Sequence, residues 1–286
     1  MKQNKIWVVT GACGGFGTAL VETLLERGFC VAGMTRTPET LLSRHAGAED
    51  LLAVRTDVTS EASVLAAREE ILKRFGRVDV VVNAAGYGLD GAIEEVSDAE
   101  ARALFDVDLF GMLNVCRAFV PDLREQGGGY VINYAGEEAI AATACHAVSH
   151  AAQFAIDALT DALNKEAGQF GISAVCLKCG PMRTDYLSHK HGAALSLDAY
   201  DAIREERAAK NAALRGKEPV SPKKTAELLI RLTGEEEAPK DLYLTRESVR
   251  MAREAWDGLE AEFEKWKWAT LCVDFPKEEC YYGKRG

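Results

Sequence analysis

Short runs that are apolar on both faces alternate with longer stretches in which apolar residues recur every three or four, up to about residue 185. Ile6-Trp7-Val8-Val9-Thr10 is the first such run, and Leu20, Val21, Leu24 and Leu25 mark a helix over 16–27 behind it. Further strand-like runs lie at 29–34, 52–54, 78–82, 130–134 and 172–177. Helical spacing fills 61–75, roughly 98–125 and about 147–167. A strand without polar positions must be covered on both faces, and helices between such strands describe a parallel sheet with crossover connections. The pattern predicts a doubly wound α/β fold in three layers, α/β/α. After residue 185 it loosens into a loop and helix over 186–215. A helix over 223–232, a seventh strand at 242–244 and a charged amphipathic helix over 247–267 follow.

No repeat, low-complexity tract or Pro/Gly-rich linker divides the 286 residues, so a single domain over 1–286 is expected. Acidic residues outnumber basic ones 44 to 34, giving a net charge of −10. That balance argues against nucleic acid or an anionic membrane as partner, since both need surplus Lys and Arg. No apolar run approaches the ~20 residues of a membrane span. Met1-Lys2-Gln3-Asn4-Lys5 leads straight into the first strand without a secretory pattern, so a soluble, cytoplasmic protein is expected. The eight cysteines sit mostly in apolar segments, where a reduced thiol behaves as a small hydrophobe. Cys176-Leu177-Lys178-Cys179 is a lone CxxC without the second pair of a zinc ribbon.

Thr10-Gly11-Ala12-Cys13-Gly14-Gly15-Phe16-Gly17 lies between the first strand and the first helix. Glycines there let backbone N–H groups approach a pyrophosphate, which then sits at the positive end of the helix. This T-G-x-x-x-G-x-G form resembles the short-chain dehydrogenase/reductase family. The resemblance continues through Asp57-Val58, Asn83-Ala84-Ala85-Gly86, Phe105 to Gly111, and Gly180-Pro181 with Thr184; Cys179 stands where the family has Pro. The C-terminal Val273-Asp274-Phe275 is similar to a bacterial branch related to retinol and hydroxysteroid dehydrogenases. The resemblance implies a Rossmann-like dinucleotide-binding core over 1–185, with a substrate lid, seventh strand and C-terminal helix over 186–286. It places Gly11, Cys13, Gly14, Gly15, Phe16, Gly17, Asn83, Ala84, Gly86, Gly180 and Thr184 around the cofactor, with Asp57 and Val58 at its adenine. NAD enzymes carry an acid at the end of the second strand, whereas a nearby Arg accommodates the 2′-phosphate of NADP. Thr35-Arg36-Thr37 has no acid, and Arg36 is able to pair with a phosphate bidentately, so NADP(H) is the expected cofactor.

The family's carbonyl reducers resemble one another in an Asn, Ser, Tyr, Lys tetrad, which delivers the proton that follows the hydride. Ser149-His150-Ala151-Ala152-Gln153-Phe154 aligns without gaps on the family's Y-S-A-S-K-F. On that register Ser149 stands for Tyr, Gln153 for Lys, Gly136 for Ser and Asp108 for Asn. A second register, with His146 and His150 on Tyr and Lys, needs a three-residue deletion. Four readings follow. Substitute groups deliver the proton: His146, whose imidazole class titrates near pH ~6.5, Tyr134 on the strand parity of Gly136, or Asp108, Glu137 and Glu138. Alternatively, hydride goes to a conjugated C=C and water supplies the proton. In the third reading the chain binds NADP(H) without a redox step, as scaffold or sensor. In the fourth, His146 and His150, joined by His189 or His191, hold a metal, although no H-E-x-x-H pattern accompanies them.

Residues 185–215 mix Tyr186, Leu187, Leu195, Leu197, Tyr200 and Ile203 with charges, as a lid over an apolar ligand would. With Gly136 and Ser149 in place of larger side chains, a bulky or multi-ring ketone or enone is the expected substrate. Trp266 and Trp268 are expected to pack in the core. The resemblance also implies a homo-oligomer, dimer or tetramer, paired through the helices at 98–125 and 147–167.

Overall fold

Trp7 and Val9 face one side of the sheet and Val8 the other, each fully buried, which is why β1 (Ile6–Thr10) is apolar at every position before Thr10. The computed structural model describes residues 5–186, 190–273 and 275. Along the chain follow α1 (Gly15–Glu26), β2 (Cys30–Thr35), α2 (Pro38–Arg44), β3 (Leu51–Arg55), α3 (Glu61–Phe75), β4 (Val80–Asn83) and β5 (Leu89–Asp90). Next come α4 (Asp98–Phe105), α5 (Met112–Glu125), β6 (Gly129–Tyr134), α6 (Ala147–Ala167), β7 (Ile172–Cys179) and β8 (His191–Gly192). The chain continues through α7 (Asp201–Leu214), α8 (Pro222–Leu232), β9 (Asp241–Leu244) and α9 (Arg246–Leu271).

Seven strands form one parallel sheet in the order β3-β2-β1-β4-β6-β7-β9. Helices α1 and α8 pack on one face, burying Leu20, Leu24 and Leu229; α3, α5 and α6 cover the other with Ile71, Phe119 and Ile156. This is the single-domain, three-layer Rossmann-like fold. The strand order reverses between β1 and β4, and the crevice beyond the carboxyl ends of strands at such a point is where ligands bind in α/β sheets.

The long helix over 98–125 is two α-helices joined by a π-helical turn at Asp106–Gly111. Helix α2 and the β5–β8 pair are absent from the sequence pattern, because seven residues and two residues are too short to show a period. Trp266 and Trp268 overturn their expectation: they are 45% and 68% exposed on α9 rather than packed in the core. Of the residues singled out in the sequence, Leu187, His189 and Asp274 lie outside the described residues. Among those described, no helix is long and apolar enough to cross a membrane.

Candidate active site

The turn after β1 is built for close approach. Gly11 adopts φ +63°, and a Cβ there would lie 2.7 Å from the Ala84 carbonyl oxygen. Thr10 holds the two loops together, its Oγ1 accepting the N–H groups of Ala84 (3.1 Å) and Ala85 (3.2 Å). Helix α1 starts at Gly14 with no side chain capping it and no acid in its first turn, so its N-terminus is open to an anion. A Cβ on Gly17 would strike the Gly11 carbonyl, and one on Gly15 would strike Thr184, which places the 180–184 loop over the glycine turn. Cys13 and Phe16 belong to the same turn, with Phe16 against the Tyr134 ring (5.8 Å between centroids). Asn83 is buried and donates to Asn133 Oδ1 (2.8 Å), fixing the end of β4.

At the end of β2, Thr35 is buried and Arg36 exposed. Arg55 donates to the Arg36 backbone carbonyl (2.6 Å) and pairs with Glu39, so its guanidinium reaches the Arg36 backbone; the pairing of Thr35 with Arg55 across β2 and β3 puts it there. Sequence reading missed Arg55, because strand register alone joins it to Arg36. Asp57 spends one carboxylate oxygen on the Thr59 N–H (3.0 Å) and hydroxyl (2.8 Å). Val58 packs where a Cβ on Gly111 would lie, and Gly86 brings the β4 loop against Asp108.

A cavity of about 670 Å³ opens from this turn across the carboxyl ends of β4, β6 and β7. It is lined by Asp108, Tyr134, Glu137, Glu138, His146, Ser149 and Gln153, so the sequence-chosen catalytic candidates converge. Asp108 projects from the π turn, 3% exposed, accepting the Tyr87 N–H (3.1 Å) and the Gln153 amide (3.2 Å). Burial pushes its carboxyl up to about 7 against the Tyr87 hydrogen bond, with repulsion from Glu138 adding to the rise. Gln153 Oε1 is buried without a partner.

His146 is 1% exposed at the start of α6. Its Nδ1 lies 2.8 Å from Asp90 and its Nε2 3.7 Å from Glu138; neither contact is aligned as a hydrogen bond, so both are ion-pair distances rather than formed bonds. Burial alone would raise the Asp90 carboxyl, but His146, Lys190 and Arg207 (3.1 Å) outweigh it and hold it below the ordinary range. Glu138 behaves likewise: burial opposes its charge, and His146 and backbone N–H lower it regardless. One Glu138 oxygen fills the space that a Cβ on Gly136 would point into. Glu137 is pushed up to about 7 by burial and by the charges of Glu138 and Glu247.

Ser149 is committed elsewhere. Its hydroxyl accepts the Leu89 N–H (2.9 Å) and donates to the Leu89 carbonyl (3.2 Å), which anchors β5. The Tyr134 hydroxyl accepts from Cys179 Sγ (3.1 Å), and burial drives its pKa well up. His150 donates from Nδ1 to the Glu138 carbonyl (2.9 Å) and accepts the Thr143 N–H at Nε2 (3.0 Å), a neutral tautomer that burial favours. The nitrogens of His146 and His150 thus face separate partners, with the rings edge-on at 5.2 Å. His191 meets Tyr87 edge-on at 5.1 Å, and among the described residues no metal-spaced group includes these histidines. Among the described residues, ligand atoms at metal spacing occur at Asp157, Cys176 and Asp241. The Lys178 ammonium already fills that cluster, 2.9 Å from Asp157 and 3.1 Å from Asp241.

The 190–214 segment is tied to the loop after β5. Glu95, 2% exposed, accepts the N–H groups of Ala92 and Leu197 (2.8 Å each) and pairs with Arg204. Glu100 accepts the Ala194 N–H (2.8 Å), and Arg207 on α7 reaches Asp90 and Thr143. Sequence reading missed Asp90, Lys190 and Arg207, which no motif joins to His146.

Residues 5–193 match the family described as short chain dehydrogenase. An oxidoreductase of Botryotinia fuckeliana is 30% identical over 271 residues, covering 94% of this chain and 99% of its own. A solved short-chain dehydrogenase from Streptomyces avermitilis is similar at a TM-score of 0.84 and 30% identity, over 94% of this chain and 100% of that one. A 3-ketoacyl-(acyl-carrier-protein) reductase from Brucella melitensis, solved complexed with NADH, has a TM-score of 0.71 and 25% identity over 85% of this chain and 98% of its own. With the glycine turn, the parallel sheet and a match over most of its length, the chain belongs to the short-chain dehydrogenase family.

Proposed function

We propose that this protein is an NADP(H)-dependent oxidoreductase that reduces the carbonyl of a bulky, apolar, ring-bearing small molecule, with His146 delivering the proton. The observation that carries the reading is the buried His146 imidazole, held 2.8 Å from the Asp90 carboxylate at the rim of the cavity that the glycine turn enters. A carboxylate within ion-pair reach of an imidazole orients the ring, and a paired carboxylate and histidine are the parts hydrolases use for general acid–base work. The register that places Ser149 and Gln153 at the family's Tyr and Lys supports it, because a hydroxyl bound to Leu89 and a neutral amide leave proton delivery to another group.

The chain's own groups fit a pyridine dinucleotide. The uncapped start of α1 suits a pyrophosphate, and the orphaned Gln153 Oε1 is an acceptor for a ribose hydroxyl. The exposed Arg36, with no acid at the end of β2, favours a 2′-phosphate; the complex of the Brucella reductase with NADH supports the cofactor class, not the phosphate. When bound, the reduced nicotinamide supplies a hydride to the carbonyl carbon. His146 is the group placed to donate a proton to the oxygen as it gains charge, with Asp90 and Glu138 flanking its ring.

Calorimetric titration with NADPH and NADH, then NADPH oxidation on a panel of polycyclic ketones and enones, tests this. Arg36→Ala is expected to weaken NADPH about tenfold and leave NADH unchanged, in line with loss of a charge-assisted phosphate contact. His146→Gln is expected to cut kcat by about 10²–10⁴ at unchanged nucleotide affinity. An unaltered rate removes His146 from the reaction. Turnover of enones alone points to C=C reduction, and tight NADPH binding without any turnover points to a scaffold or sensor.

A further inference from the structure

Among the described residues, helix α9 leaves the body of the molecule after its second turn. Ser248 and Ala252 are buried and Trp256 still meets the Tyr243 ring edge-on at 6.4 Å, yet every residue from 256 to 268 is exposed. Along this helix Val249, Ala252, Trp256, Leu259, Phe263 and Trp266 alternate spacings of three and four, the seam of a coiled coil. Trp256, Leu259 and Phe263 are 59%, 69% and 48% exposed. An isolated helix of this length is marginal in water, so a projecting stretch with the exposed seam residues Trp256, Leu259 and Phe263 gains from a second helix packed on it.

We propose that α9 is a dimerisation helix whose seam packs against α9 of a second copy of this chain. The flanking charges are self-complementary. Paired in parallel, Glu262 of one copy faces Lys267 of the other; paired antiparallel, Glu260 faces Lys267, and a twofold axis forms each contact twice. Within 256–268 four acids (Asp257, Glu260, Glu262, Glu264) flank the projecting seam, against Lys265 and Lys267, which disfavours an anionic membrane surface. The four large side chains at 256, 259, 263 and 266 offer about 500 Å² of apolar surface per copy. With polar flanks, that approaches the ~800 Å² per partner of a specific interface.

Sedimentation of the full chain at micromolar concentration, with hydrogen exchange, decides it. The wild-type protein is expected to form a dimer or a larger even-numbered assembly, and Leu259→Glu with Phe263→Glu to halve its mass. Both positions are exposed, so the melting temperature of the body serves as a folding control. Amides of 256–268 are expected to exchange slowly in the wild-type assembly and fast in the double variant. A monomeric wild-type chain, including one whose α9 instead binds phosphatidylserine vesicles, would overturn the proposal, as would a double variant of unchanged mass.

Discussion

Asp108 joins stability to pH at a single carboxyl. Its folded pKa of about 7 lies above that of a free aspartate, mainly through burial, so the native state holds its proton more tightly than the unfolded chain. That stabilisation is complete below about pH 4 and is lost as pH rises through about 7. Asp108→Asn keeps an acceptor for the Tyr87 N–H, and its amide is able to donate to Gln153 Oε1. The variant is expected to gain about 2 kcal/mol over wild type at pH 8 and little at pH 4. Thermal melts at the two pH values should show a rise of roughly 4–8 °C at the higher one only. His146, Ser149 and Gln153 stood out in the sequence because a family pattern broke at their positions. What each touches did not: Asp90 reaches His146 across 56 residues of chain, and the Ser149 hydroxyl is bound to Leu89 by contacts that spacing along one helix cannot reveal.

The glycine turn gives the clearest test at the level of an element. A methyl group on Gly17 would overlap the Gly11 carbonyl, and backbone there has no side chain to swing aside. Gly17→Ala is expected to lower NADPH affinity at least about tenfold and to lower the melting temperature by a few degrees, as overpacking against a rigid neighbour does. Equal titrations for variant and wild type would mean that the turn relaxes freely or that nucleotide binds elsewhere. The turn was legible because strand, glycines and helix are contiguous in sequence. Helix α6 was legible over its whole span for a related reason: Ala147–Ala167 buries one regular stripe. Helix α9 was placed in outline while its environment was misjudged. A helical period records which residues share a face, not whether anything covers that face.

Across the molecule, the sheet was predictable because both its faces are covered, so each inner strand is mainly apolar and, but for one residue, uncharged. Lys178 is the exception, buried in β7 at 4% exposure. Burial opposes its charge, but Asp157 on α6 and Asp241 on β9 raise its pKa and tie the last strand to helix and sheet. Lys178→Met removes the buried counter-ion that Asp157 and Asp241 share, leaving only the more exposed Lys240 near them, and is expected to cost roughly 3 kcal/mol. A melting temperature lower by about 6–12 °C would register that cost, whereas an unchanged one would mean that water already screens the pair. The π turn at Asp106–Gly111 has a different consequence. A π turn holds one residue more than an α turn, so deleting a single residue there would restore an unbroken helix with the packed stripes of α4 and α5 still aligned. The Asp108 carboxylate is carried on that widened turn, so the turn, rather than either flanking helix, sets where the acid points.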